Sequence, residues 1–311
     1  MTAPPRLVVR VPGSTSNLGP GFDCLGMAVD RWLEIEWSLS DAPVTVERHG
    51  TLRDLNVDPR DDLVLKVLAK KTEVRGHLRV GSSIPLSRGL GSSAAARVAA
   101  LLLGHARQHL VGAPDLNAFV VPRDEILDEA AAAEGHSDNV APALWGGLVA
   151  VGGPAEARRV VPLVTSPRIG WCYAAPGVEV RTDEARAALP SVLPHAQVGA
   201  NGARLAALQL GLATAQPEMI AWGMHDEVHT PWRLPLIPGG ADAMRAALEA
   251  GAWGVAISGS GSGLIAAGAR ESMAPVVEAM GRAFAGHGDA AQAFAFECRT
   301  APEAAQIRLV A

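Results

Sequence analysis

The chain has 311 residues, 49% hydrophobic and 19% charged, with a formal net charge of −5, a balance that describes a globular protein long enough for about two domains. No lysine or arginine run forms a basic stripe, which speaks against nucleic acid as a partner, and no apolar run reaches the ~18 residues of a membrane span. The opening Met1-Thr2-Ala3-Pro4-Pro5-Arg6 lacks the apolar centre of a signal peptide, and Cys24, Cys172 and Cys298 are too scattered for a zinc knuckle or a disulfide framework. A reducing cytoplasmic setting is the expectation.

Residues 6–11 and 32–38 read as strands, since Leu7, Val9 and Val11 alternate, as do Leu33, Ile35 and Trp37. Between them lies a polar, glycine-rich loop at 13–23. Leu78, Val80 and Ile84 fall on one face at period two, and Ala95, Ala99, Leu102, Leu103 and Ala106 follow at helical spacing. A helix is expected at 122–134, with Pro122 in its first turn, and a glycine-bounded strand at 146–153. The stretch 152–168, rich in Pro, Gly and Arg, is the expected boundary between units at 1–155 and 165–311. Beyond it come a strand at 169–175, helices at 182–189, 199–213, 216–229 and 240–250, a strand–turn–strand at 253–267 and a helix at 272–285. Periodicity alone gives a mixed α and β chain without internal repeats.

The joint between strand and helix at 84–95 carries the chemistry. Gly89 and Gly91 allow close approach of backbone to a ligand, and Ser92 and Ser93 open the helix, where free N–H groups and the dipole attract anions. The turn is a phosphate cradle, but not the common P-loop, whose Gly-Lys-Ser/Thr is absent. Gly89-x-Gly91-x-x-Ala94 fits the loose dinucleotide pattern without the acid that should close a second strand about 20 residues later. The nearest acid, Asp115, sits in Gly112-Ala113-Pro114-Asp115, which reads as a turn.

Pro85-x-x-x-Gly89-Leu90-Gly91-Ser92-Ser93-Ala94-Ala95 resembles the ATP-binding motif of the GHMP kinases. Val11-Pro12-Gly13-Ser14-Thr15-Ser16-Asn17-Leu18-Gly19-Pro20-Gly21-Phe22-Asp23 is similar to the first motif of that superfamily, in the form homoserine kinases carry. Ser258, Gly259, Ser260 and Gly261 resemble its third, glycine-rich motif. Glu134-Gly135-His136-Ser137-Asp138-Asn139-Val140-Ala141-Pro142 resembles the Gly-His-Pro-Asp-Asn-Val-Ala-Pro run of homoserine kinases, with Ser137 replacing proline. Thr182 to Pro190, and Pro231-Trp232-Arg233 with Leu236-Ile237-Pro238, match two further runs of that group.

The resemblance implies an α+β, two-domain GHMP kinase fold: an N-terminal domain of the ribosomal-protein-S5-domain-2-like type around the ATP site, and a C-terminal ferredoxin-like domain. It implies a kinase using ATP and Mg²⁺ on L-homoserine, with a homodimer as a family expectation. ATP would be bound by Pro85, Leu86, Ser87, Arg88, Gly89, Leu90, Gly91, Ser92, Ser93, Ala94 and Ala95, with Asp62 where adenine-contacting Asn is frequent. Ser93 and Asp128 would hold magnesium, Asp128 lying eight residues before His136, with Glu125 and Glu129 as neighbouring candidates. Asn17, Asp23, His136, Thr182, Arg186 and Arg233 would orient homoserine, the arginines taking the carboxylate. Ser93, Asp128 and Asn139 are the expected catalytic residues, although the Asn139 amide cannot accept a proton where related kinases carry an aspartate base. Phosphoryl transfer would then rest on position and charge neutralisation. Ser262-Gly263 departs from the third motif's usual continuation, so another small-alcohol kinase or a silent nucleotide-binding member is the alternative. His225 and His229, four apart, suggest a zinc pair only weakly, and no serine in 258–263 has the spacing of a hydrolase nucleophile.

Overall fold

The computed structural model describes residues 5–112, 115–287 and 292–310, so Met1-Thr2-Ala3-Pro4 and part of the turn expected at 112–115 lie outside the described residues. The chain begins with a long antiparallel hairpin, β1 (Arg6–Asn17) and β2 (Gly21–Ser38). Leu7, Val9 and Val11 on β1, with Leu33, Ile35 and Trp37 on β2, all point into the core, as their alternation predicts. The expected loop at 13–23 is strand except at its tip. Register shifts at Pro12/Gly13 and Ser16/Asn17 keep the polar residues paired, and hydrogen bonding across the hairpin overrides their turn propensity.

β3 (Thr45–Gly50) runs parallel to β4 (His77–Ser82), separated by α1 (Leu63–Leu68). Neither β3 nor α1 shows in the sequence pattern, because β3 is a half-exposed edge strand and α1 is only six residues long. α2 (Ser92–Gly112) packs across the sheet with Ala95, Ala99, Leu102, Leu103 and Ala106 fully buried. α3 (Arg123–Glu134) stops at Gly135, whose φ of 82° is left-handed and closes the helix with an N–H bond to Ala131. α4 (Val140–Trp145), β5 (Leu148–Gly152) and β6 (Arg159–Leu163) complete this half.

The second half opens with β7 (Ile169–Ala175), followed by α5 (Thr182–Ala187), α6 (His195–Thr214), α7 (Pro217–Gly223), α8 (Thr230–Arg233) and α9 (Gly240–Glu249). The helix expected at 216–229 ends at Gly223, since the Asp226 carboxylate accepts the backbone N–H groups of Val228, His229 and Thr230 at 2.9, 3.0 and 2.7 Å and starts α8 instead. β8 (Gly254–Ile257), β9 (Leu264–Ala269), α10 (Met273–Ala285) and β10 (Phe294–Cys298) follow. The strands order β10-β7-β9-β8, all antiparallel, and α9 and α10 cover one face through Ala243, Ala247, Val276, Met280 and Phe284. That is the ferredoxin-like arrangement.

The last strand, β11 (Gln306–Val310), returns to pair with β1. The first sheet therefore runs β11-β1-β2-β4-β3, with β5 joined to β2 and β6 to β5. The chain changes sheet between β6 and β7, and β11 crosses back, so that β6 and β11, both outside the expected unit 1–155, belong to the first sheet. The two halves also meet at an isolated bridge between Asn17 and Ser258.

Candidate active site

The turn after β1, the loop before α2, the turn after α3, the start of α5, Arg233 and the loop between β8 and β9 line one cleft of about 240 Å³. Its floor is the phosphate cradle. Gly89 and Gly91 have φ of 78° and 63°, in the left-handed region that glycine tolerates. A Cβ on Gly89 would strike the Ser258 carbonyl, and one on Gly91 the Ser14 hydroxyl. These glycines thus let the cradle fit against the first and third motifs, in addition to shaping the turn. The Ser258 hydroxyl donates to the Gly89 carbonyl at 2.6 Å, and the Ser14 N–H to the Leu90 carbonyl at 3.1 Å. The first backbone N–H groups of α2, which have no carbonyl in their own helix, sit at the cleft.

Within the expected ATP run, Ser87, Arg88, Gly89, Gly91, Ser92, Ser93 and Ala94 line the cleft. Leu90 and Ala95 instead face the core, and Pro85 and Leu86 lead into the loop without lining the cleft. Asp62 is also elsewhere. Its carboxylate caps α1 by accepting from Leu65 N–H at 3.0 Å and pairs with Arg48 at 2.5 Å, so the adenine contact expected of it is corrected to a helix cap.

The Ser93 hydroxyl meets Glu134, 2.6 Å from each carboxylate oxygen, and Arg97 closes on the same carboxylate at 2.5 Å. Asp128 does not reach this point: it pairs with Arg158 at 2.5 Å and lies off the cleft. Glu129 pairs with Lys71 at 2.5 Å, with Glu125 further out at 3.9 Å. The expected carboxylate partner of Ser93 is therefore corrected from Asp128 to Glu134. A hydroxyl and a carboxylate at the helix start fit a magnesium ion that takes its remaining ligands from phosphate and water. Among the described residues no group of three or more His, Cys, Asp or Glu side chains forms a protein-only metal cage. His225 and His229 diverge: His225 faces Glu227, and His229 is buried with Nε2 3.0 Å from the Gly19 carbonyl.

At the other end of the cleft the charges are set for a zwitterion. Arg186 grips Asp23 through two bonds of 3.0 Å. Asn17 and Asp23 both hold positive φ, 71° and 55°, a strained geometry typical of sites where side chains must be aimed. The Asn17 amide donates to the Gly259 carbonyl at 2.7 Å and accepts from the Asp23 N–H at 2.9 Å, leaving it one N–H and one lone pair. Arg233 is nearly fully buried, its Nε and Nη1 donating to the carbonyls of Ala185 and Gly259 at 3.2 and 3.3 Å. Burial presses its pKa below the usual arginine value. The Thr182 and Ser260 hydroxyls lie 3.2 Å apart.

His136 Nδ1 lies 2.8 Å from Asp138 Oδ1. Burial alone would lower its pKa, but the hydrogen bond and charge of Asp138, with the charge of Glu134, carry it above the ordinary imidazole value. Asn139 is locked, accepting from Ser14 Oγ and donating to Ser16 Oγ, both at 2.9 Å. It ties the first motif to α4 and offers no proton acceptor. Sequence reasoning missed Glu134, Asp138 and the pair Arg97–Glu134. The signal for Glu134 was its place directly before Gly135-His136.

The sequence profile of the family described as GHMP kinases N terminal domain matches residues 62–147. The chain is 39% identical to the homoserine kinase of Parasynechococcus marenigrum (strain WH8102) over 300 residues, covering 93% of this chain and 92% of that protein. It is 37% identical to the homoserine kinase of Prochlorococcus marinus (strain MIT 9313), with the same coverage, 93% and 92%. The crystal structure of homoserine kinase from Cytophaga hutchinsonii superposes with a TM-score of 0.80 at 29% identity, over 97% of both chains.

Proposed function

The chain belongs to the homoserine kinase family of the GHMP kinases, and from that membership we propose that its cleft transfers the γ-phosphoryl group of ATP to the side-chain hydroxyl of L-homoserine. It is an ATP:L-homoserine O-phosphotransferase, and O-phospho-L-homoserine, its product, feeds threonine biosynthesis. The observation that carries this reading is one cleft with an anion cradle at one end and a matched pair of opposite charges, Asp23 and Arg186, at the other.

The cradle of Gly89 to Ala94 holds the phosphates against the start of α2. Ser93 and Glu134 would hold magnesium, which when bound would supply charge neutralisation at the phosphates. The zwitterionic substrate separates the internal ion pair, its ammonium taking Asp23 and its carboxylate taking Arg186 and Arg233. His136, held by Asp138, faces the same end, and Thr182 lies beside the third motif. The substrate hydroxyl oxygen bonds to the γ-phosphorus as the bond to the β–γ bridging oxygen breaks. Its proton passes through phosphoryl oxygen to water, since Asn139 cannot take it. Asn17 positions Asp23 and the third motif. The free cysteines Cys24, Cys172 and Cys298 support a cytoplasmic setting, and a homodimer rests on the resemblance alone.

A panel of alcohols with MgATP, scored by ADP release, tests the reading. Homoserine should be preferred over mevalonate, galactose and shikimate. 4-Hydroxybutyrate, which lacks the ammonium, should turn over poorly because Asp23 is left without a partner. Preference for mevalonate, galactose or shikimate, or ADP release indifferent to the acceptor, would remove homoserine as the substrate.

A further inference from the structure

The chain contains only three lysines, Lys66, Lys70 and Lys71, and none of them lines the cleft. The arginines that line it are Arg88, Arg181, Arg186 and Arg233. Arg186 is matched by Asp23, and Arg233 is fixed by two backbone carbonyls. Arg181 is 78% exposed and forked onto Asp183.

Arg88 differs from all three. Its side chain is only 10% exposed, yet among the described residues Nε has no acceptor. Nη2 makes a long contact of 3.4 Å with the Gly177 carbonyl, and Nη1 lies 3.1 Å from a Glu179 carboxylate that is itself 57% exposed. A buried guanidinium N–H left unpaired is costly, and an ion pair to an exposed carboxylate holds weakly. The backbone beneath is pinned, because Tyr173 donates its hydroxyl proton to the Arg88 carbonyl and Gly89 is packed on Ser258. The side chain is held less firmly, its remaining contact being a long one of 3.4 Å from Nη1 to the Ser87 carbonyl.

Building on the reading that ATP occupies this cleft, we propose that Arg88 is a phosphate ligand that exchanges Glu179 for ATP. Its Nε and one Nη form the paired donors to non-bridging phosphate oxygens. Glu179 is the internal competitor: it neutralises Arg88 in the empty cleft and turns to solvent when the triphosphate arrives. The two residues therefore act on ATP affinity with opposite sign, which a pair that merely braces the loop against the second sheet would not do.

Calorimetric titration of the wild type, Arg88→Gln and Glu179→Gln with ATP and with adenosine separates these possibilities, alongside the KM for homoserine. Arg88→Gln should weaken ATP roughly tenfold or more while leaving adenosine affinity and the homoserine KM in place. Glu179→Gln should tighten ATP. Equal weakening by both variants, or unchanged ATP affinity in either, overturns the exchange. Glu179 is exposed, so its variant decides the matter even where Arg88→Gln fails to fold. A wild-type protein that binds no ATP would overturn the proposed function and this inference together, whereas normal wild-type binding with indifferent variants overturns only the inference.

Discussion

Glu134 sits where one carboxylate can serve both a metal and the fold: its oxygens reach Ser93, and Arg97 holds the side chain in place. Asp128 is six residues earlier on the same helix, roughly 240° around its axis, and so faces Arg158 at the far side. Glu134→Gln is expected to cut turnover by on the order of a hundredfold, the loss typical when a group neutralising transition-state charge is removed. Asp128→Asn should leave it within about twofold, since an ion pair of this partly exposed kind contributes little. Steady-state kinetics at saturating magnesium checks both, and the reverse ranking would favour Asp128 over Glu134 as the proposed metal ligand. Ser93, Asp23, Arg186 and His136, which motif matching picks out inside short runs, all line the one cleft. Asp128 was misplaced because counting back from His136 took no account of helical phase or of the break at Gly135. Asp62 was misplaced because an acid preceding a short helix caps it, a role visible only once α1 is known.

Three loops meet through backbone and small hydroxyl side chains. The first motif bonds Leu90 through Ser14, and Gly89 packs against Ser258, whose hydroxyl also lies 2.8 Å from that of Thr15. Backbone on backbone leaves no room for a methyl group at Gly89, where φ is 78°. Gly89→Ala is therefore expected to cost roughly 1–3 kcal/mol of stability, from the left-handed backbone and the clash together. It should weaken ATP binding in parallel. Urea denaturation measures the first, and an unchanged midpoint would show that the third motif can retreat at no cost. The elements with a strong period, such as β1 and α2, could be read directly from the chain. β3, β10 and β11 could not, because they are short and bury almost none of their residues, and the strand character of 13–17 depends on a partner strand rather than on its own residues.

The bridge between Asn17 and Ser258 and the Arg186–Asp23 pair help to join the two halves around the cleft. β11 closes the chain back onto β1, so the strand that carries the first motif is held from both sides. Such long-range pairings leave no local trace in a sequence. The resemblance supplied the two-sheet plan, and only the structure placed Glu134 against Ser93 and Arg88 against Glu179. The proposed transfer of a phosphoryl group from ATP onto homoserine in this cleft can be followed by phosphorus NMR of a reaction containing the protein, MgATP and L-homoserine. The predicted result is a phosphomonoester signal split by two methylene protons, growing in step with ADP. Release of inorganic phosphate alone, or ATP left intact, would contradict it.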